Sequence, residues 1–82
     1  MLDIDKLRNE IDDIDKQIIE LFEKRMDVVL NVAKYKMERN LPIFNGAREN
    51  AVIEKNLKRL KNKEYSDYAE KFLNDMMRSE EH

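Results

Sequence analysis

Residues 4–35 read IDKLRNEIDDIDKQIIELFEKRMDVVLNVAKY. Within them Ile4, Leu7, Ile11, Ile14, Ile18, Leu21, Arg25, Val28, Val32 and Tyr35 follow one another in alternating steps of three and four. That spacing is the seam of a long amphipathic helix. Every member of the seam is apolar except Arg25. A guanidinium in an apolar seam must snorkel to water, pair with an acid, or face a cavity that holds an anion.

The helix is expected to run from about residue 3 to about residue 40. Asn40 signals its stop, and Pro42 biases Leu41 away from helical angles. At ~1.5 Å per residue it would be roughly 55 Å long, more than a small compact domain needs. Residues 26–33, MDVVLNVA, are apolar on several sides, which predicts more than one neighbour there.

The clear break is LPIFNG, residues 41–46. Asn45 is the expected N-cap of a second helix reaching from residue 46 to about residue 61. Val52, Ile53, Leu57 and Leu60 give it one short apolar stripe. Residues 62–64 read as a polar turn, and Ser66 as the cap of a third helix that runs to the end. Tyr65, Tyr68, Ala69, Phe72, Leu73, Met76 and Met77 are the expected buried face of that helix.

Folded back together, the two short helices cannot cover the whole seam of the first. The part from residue 4 to residue 21 needs a second chain. The expected architecture is therefore all-α, one domain over residues 1–82, with one long N-terminal helix and two shorter ones in an intertwined homodimer.

Composition points the same way. A chain of 82 residues with no cysteine cannot use disulfides or thiolate metal sites. Its lone His82 cannot build a zinc site, so neither metal nor cofactor is expected. Oligomerisation is the remaining route to stability at this size. Charged residues make up 41% at a net charge of −2, which argues against a general nucleic-acid or membrane-surface binder. No apolar run approaches a membrane span. The start, MLDIDKLRNE, lacks the basic and apolar regions of a signal peptide, so the cytoplasm is the expected location. One Gly and one Pro in the chain favour an all-helical protein.

Four basic residues, Arg8, Arg25, Lys36 and Arg48, stand out. Lys36 follows Arg25 by eleven residues. At 100° per residue that returns it to within about 20° of the same face, with the Cα atoms roughly 16 Å apart. Two long side chains on one face then leave a gap of small-molecule size. Arg48 opens the second helix, where it can join the same pocket. Arg8 lies too far along the helix to do so in its own chain, but can reach a partner's pocket in an intertwined dimer. Each also has an ordinary reading. A polar seam residue often fixes register or oligomer state, and on periodicity alone that role leads for Arg25. Singly, Lys36, Arg8 and Arg48 read as solvated surface charges. Asp12 and Asp15 share a face, but without a third ligand they read as solvated too. Only the constellation favours an anion site.

These residues resemble a known family. The pattern Leu7-Arg8-x-x-Ile11-Asp12-x-Ile14-Asp15-x-x-Ile18-x-x-Leu21-x-x-x-Arg25 resembles the first helix of the all-helical chorismate mutases. Lys34-Tyr35-Lys36 follows at the family's spacing. Pro42-Ile43-Phe44-Asn45-Gly46-Ala47-Arg48-Glu49 resembles its Pro-x-x-Asp-x-x-Arg-Glu segment. The resemblance implies three helices per chain in an intertwined dimer with two equivalent sites. It implies rearrangement of chorismate to prephenate, on the route to phenylalanine and tyrosine. Carried over, Arg25 and Arg48 would bind substrate carboxylates, and Arg8 would reach in from the other chain. Lys36 would hydrogen-bond the ether oxygen, Glu49 would hold the ring hydroxyl, and Ser79 would touch a carboxylate. Lys36 and Arg25 are the catalytic pair on this reading. Two positions depart from the pattern. The family's loop aspartate is Asn45 here: if that position binds substrate mainly through its main-chain N–H, little is lost, and if it needs the carboxylate, hydroxyl recognition is weakened. The family's glutamine or glutamate one turn after the serine falls just past His82, where this chain stops; a truncated third helix is the leading expectation, beside a shifted register or a lost donor.

The implied reaction suits these residue types. A Claisen rearrangement needs no nucleophile and no proton transfer. It needs a flexible dianion held in a chair-like conformation, which arginines on rigid helices can impose. A cationic donor at the ether oxygen favours the transition state as negative charge builds there. Two other readings stay open: an isochorismate pyruvate lyase-like enzyme on the same fold, and a non-catalytic helical dimerisation module.

Overall fold

The computed structural model describes residues 3–42 and 45–80, the last two without their side chains. It contains α1 (Ile4–Glu38), α2 (Gly46–Arg59) and α3 (Ser66–Glu80), with a 3-10 turn at Lys63–Tyr65 between the last two. Among the described residues there is no strand, and the all-α expectation holds. Residues 43–44 of the expected loop, and the end of the expected third helix at residues 81–82, lie outside the described residues. The chain divides into two compact units, Met1–Tyr35 and Lys36–His82.

The first unit is the body of α1. Asp3 caps it: its carboxylate accepts the backbone N–H of Asp5 at 3.0 Å, and its carbonyl accepts that of Leu7 at 3.0 Å. A side-chain oxygen there satisfies one of the orphan donors of the first turn. The seam residues lie within one unbroken helix. Ile4, Ile11, Ile14, Ile18 and Leu21 are 46–63% exposed in the single chain. Covering side chains of this kind stabilises by on the order of 1 kcal/mol each when they start half exposed. Further along, Arg25, Met26, Val29 and Ala33 are half-buried, while Val28 and Leu30 stay exposed.

The second unit begins with the last turn of α1. Asn40, at φ 55, takes the left-handed conformation that ends the helix. Asn40 donates its N–H to the carbonyl of Met37 at 3.3 Å, and Leu41 donates to that of Lys36 at 2.8 Å. This pair of bonds is a Schellman closure, and asparagine is the usual substitute for glycine in it. Pro42 follows, where it cannot continue a helix.

α2 and α3 pack on each other. On α2 and its C-cap the half-buried apolar residues are Val52, Ile53, Leu57 and the capping Leu60, the expected stripe. α2 ends at Arg59 instead of near Lys61, because Leu60 is extended (φ −66, ψ 120). The Lys63 ammonium then donates to the carbonyls of Leu57 and Lys58 at 2.9 and 3.4 Å, closing the helix end with a favourable charge.

Two expectations for α3 are corrected. Ser66 is not a cap, since at φ −56 and ψ −45 it is already helical. The capping side chain is Asn62, whose oxygen accepts the N–H of Glu64 at 3.0 Å and starts the 3-10 turn that leads into α3. The buried face is also narrower than expected within the single chain. Met77 is buried, and Ala69, Leu73 and Met76 are half-buried, but Tyr65, Tyr68 and Phe72 are 56%, 77% and 58% exposed. The reason is angular. Phe72 stands about 100° round the helix from Leu73 and Tyr68 about 140°, outside the arc that a single neighbouring helix can cover.

Candidate active site

The candidate residues fall on both units. Arg8 and Arg25 belong to α1 in the first. Their separation of seventeen residues corresponds to roughly 25 Å of helix, so Arg8 cannot join Arg25 at one ligand within a chain. The Arg8 side chain is 69% exposed and pairs with Asp5 at 4.0 Å. A long, exposed pair of this kind contributes at most about 1 kcal/mol, so the guanidinium can leave it for an anion. Arg25 is half-buried in the seam, flanked by Leu21 and Val28.

The second unit holds the others. Lys36 is half-buried in the last turn of α1, where a cation also complements the helix dipole. Its carbonyl accepts the Schellman bond from Leu41, so the backbone that presents it is closed, not frayed. Asn45, Arg48 and Glu49 sit together at the start of α2. The Asn45 side-chain oxygen accepts the N–H of Arg48 at 3.1 Å, as expected of an N-cap. The Asn45 carbonyl accepts the N–H of Glu49 at 3.1 Å. Arg48 is exposed and Glu49 half-buried. Glu49 in the first turn is on the favourable side of the dipole. Ser79 lies in α3, and its side chain is outside the described residues.

Asn40, read from the sequence as the stop of the helix and not as a site residue, shapes the backbone at Lys36. The signal available was an asparagine two residues before a proline at the end of a periodic segment. A shallow open depression on α3 is lined by Asp67, Glu70, Lys71, Asn74, Asp75 and Arg78. Its charges are mixed in sign, as on a solvated helix face, and it offers no clamp for a dianion. Among the described residues no helix is long and apolar enough to cross a membrane, and no group of three or more acidic or histidine side chains is placed to hold a metal.

An all-α chain with basic residues on one long helix and at the start of a second is the class of protein these features define. Residues 7–80 match the chorismate mutase type II family, and the chain belongs to that family. It is similar to a T-protein of Haemophilus influenzae, at 44% identity over 48 residues, which is 58% of this chain and 13% of that protein. It is likewise similar to a bifunctional chorismate mutase/prephenate dehydratase of Buchnera aphidicola subsp. Schizaphis graminum. Identity there is 43% over 53 residues, covering 65% of this chain and 14% of that protein. The chain thus spans a small part of the curated relatives it matches. No solved structure matches it.

Proposed function

We propose that this chain converts chorismate to prephenate, as a cytoplasmic homodimeric enzyme of phenylalanine and tyrosine biosynthesis. The observation that best supports this is the family match, which runs through α1, α2 and α3 and includes every candidate site residue.

In the proposed site Arg25 and Arg48 each bind a substrate carboxylate, and Arg8 of the second copy adds a third guanidinium. Ser79 contributes a hydroxyl to a carboxylate, and Glu49 accepts from the ring hydroxyl. Asn45 stands beside them at the head of α2. Holding both carboxylates brings the enolpyruvyl arm over the ring, so most of the catalytic advantage is conformational. The C–O bond then breaks as the new C–C bond forms, within one cyclic array of electrons and without an external acid or base. Negative charge gathers on the ether oxygen during that step. The Lys36 ammonium meets it there and binds the transition state more tightly than the substrate.

A second copy is needed on two counts. It supplies Arg8, and it covers the exposed seam of α1 and the exposed aromatic stripe Tyr65, Tyr68 and Phe72 of α3. Among the described residues the single chain buries Met77 alone, so its own core is small.

The test is direct. Purified chain is mixed with chorismate and, in a parallel assay, with isochorismate; the loss of ultraviolet absorbance is followed, and the products are identified. Prephenate supports the reading. Pyruvate released from isochorismate instead would point to the lyase. No turnover at high protein concentration would sink both. Lys36→Met should lower kcat by roughly 10²–10³, the usual loss for one preorganised donor.

A further inference from the structure

We propose that Asn45 is a positioning residue for this reaction. Its side chain locks the first turn of α2 and so aims Arg48 and Glu49, and that side chain does not itself touch substrate. The inference rests on the mutase reading above.

Asn45 holds the backbone of both neighbours. Its amide oxygen accepts the N–H of Arg48 at 3.1 Å, and its main-chain carbonyl accepts the N–H of Glu49 at 3.1 Å. It is extended, at φ −141 and ψ 95, immediately before helical residues, which is the geometry of a cap. Arg48 and Glu49 project about 100° apart on α2, so the aim of both depends on the helical phase set in that first turn. The turn has little strength of its own, because it opens with Gly46, a poor helix former. The cap therefore carries much of its order.

The residue type fits the role. The amide oxygen accepts hydrogen bonds, and here it is engaged by the Arg48 N–H at the start of the helix. Its strength as a cap is also independent of pH.

Asn45→Ala and Asn45→Ser separate the possibilities, with kcat and KM measured well below the melting temperature. Hydrogen exchange at the Arg48 amide is followed in the same proteins. Asn45→Ala should lose roughly tenfold to a hundredfold in kcat/KM, as small misplacements in a clamp do, with faster exchange at Arg48. Asn45→Ser keeps a capping oxygen but cannot reach as far, and should recover most of both losses. A serine variant that protects the Arg48 amide yet is as impaired as the alanine one would overturn the proposal, because Asn45 would then touch substrate. So would an alanine variant with fast exchange and full activity, since the cap would then be merely structural. A parent chain without mutase turnover would overturn the functional reading instead. The exchange rates would still decide whether Asn45 holds Arg48.

Discussion

Leu41 donates its backbone N–H to the carbonyl of Lys36 at 2.8 Å, closing α1 at the residue proposed to meet the ether oxygen. The bond depends on Asn40 being left-handed, at φ 55. Most residues pay about 1–2 kcal/mol for that conformation, whereas glycine adopts it freely and asparagine at reduced cost.

Asn40→Gly should therefore leave stability within about 0.5 kcal/mol of the parent, while Asn40→Val should lose about 1–2 kcal/mol. Urea denaturation at fixed protein concentration measures both. Equal losses for the two substitutions would mean that the closure contributes nothing.

Arg25 interrupts an otherwise apolar seam, half-buried between Leu21 and Val28. If it clamps a carboxylate, Arg25→Leu completes the seam at no cost, since an apolar replacement spares the desolvation of a charge. Melting temperature should hold or rise and the dimer should persist. kcat/KM should fall by roughly 10²–10³, the scale of one lost charge-assisted contact in a preorganised site. A change of oligomeric state in sedimentation, with activity per folded chain retained, would favour the register role instead.

The fold was legible where local chemistry decides it. The seam named α1, the Asn40 and Pro42 pair named its end, and Asn45 was readable as a cap because nothing else near it could serve. Ser66 misled because serine caps well in isolation. The earlier Asn62 starts the turn, and Ser66 is already helical, with its own N–H on the carbonyl of Lys63. The over-wide buried face of α3 has a different cause. Tyr65, Tyr68 and Phe72 are apolar enough to be buried, but which surface covers them is decided by packing partners, not by local spacing. The site was legible only in part for the same reason. Lys36, Arg48 and Glu49 can be placed on their elements from pattern, whereas the proposed contribution of Arg8 depends on a second chain.

Half-exposed isoleucines along α1 predict that stability depends on concentration. For a folded dimer in equilibrium with unfolded chains, each tenfold dilution removes about 1.4 kcal/mol per mole of dimer. The melting temperature should fall accordingly over a dilution series. Ile14→Lys places a charge in the middle of the seam and should abolish the dimer in sedimentation while lowering stability. Ile14 is 54% exposed in the single chain, so an isolated monomer would barely register the same substitution. A concentration-independent melting point with an unaffected Ile14→Lys variant would refute the dimer.

The strongest test of the shared site is complementation. Each proposed site takes Lys36 from one chain and Arg8 from the other. Arg8→Ala and Lys36→Ala should each be nearly inactive alone, because both sites of either homodimer lack a cation. When the two variants are co-expressed in equal amounts and pair at random, half the dimers are mixed. In a mixed dimer one site combines the intact Lys36 with the intact Arg8, and the other lacks both. About a quarter of all sites should then regain parental kcat, as twofold symmetry requires. If Arg8 served its own chain, every site in the mixed dimer would lack one residue, and co-expression would recover nothing.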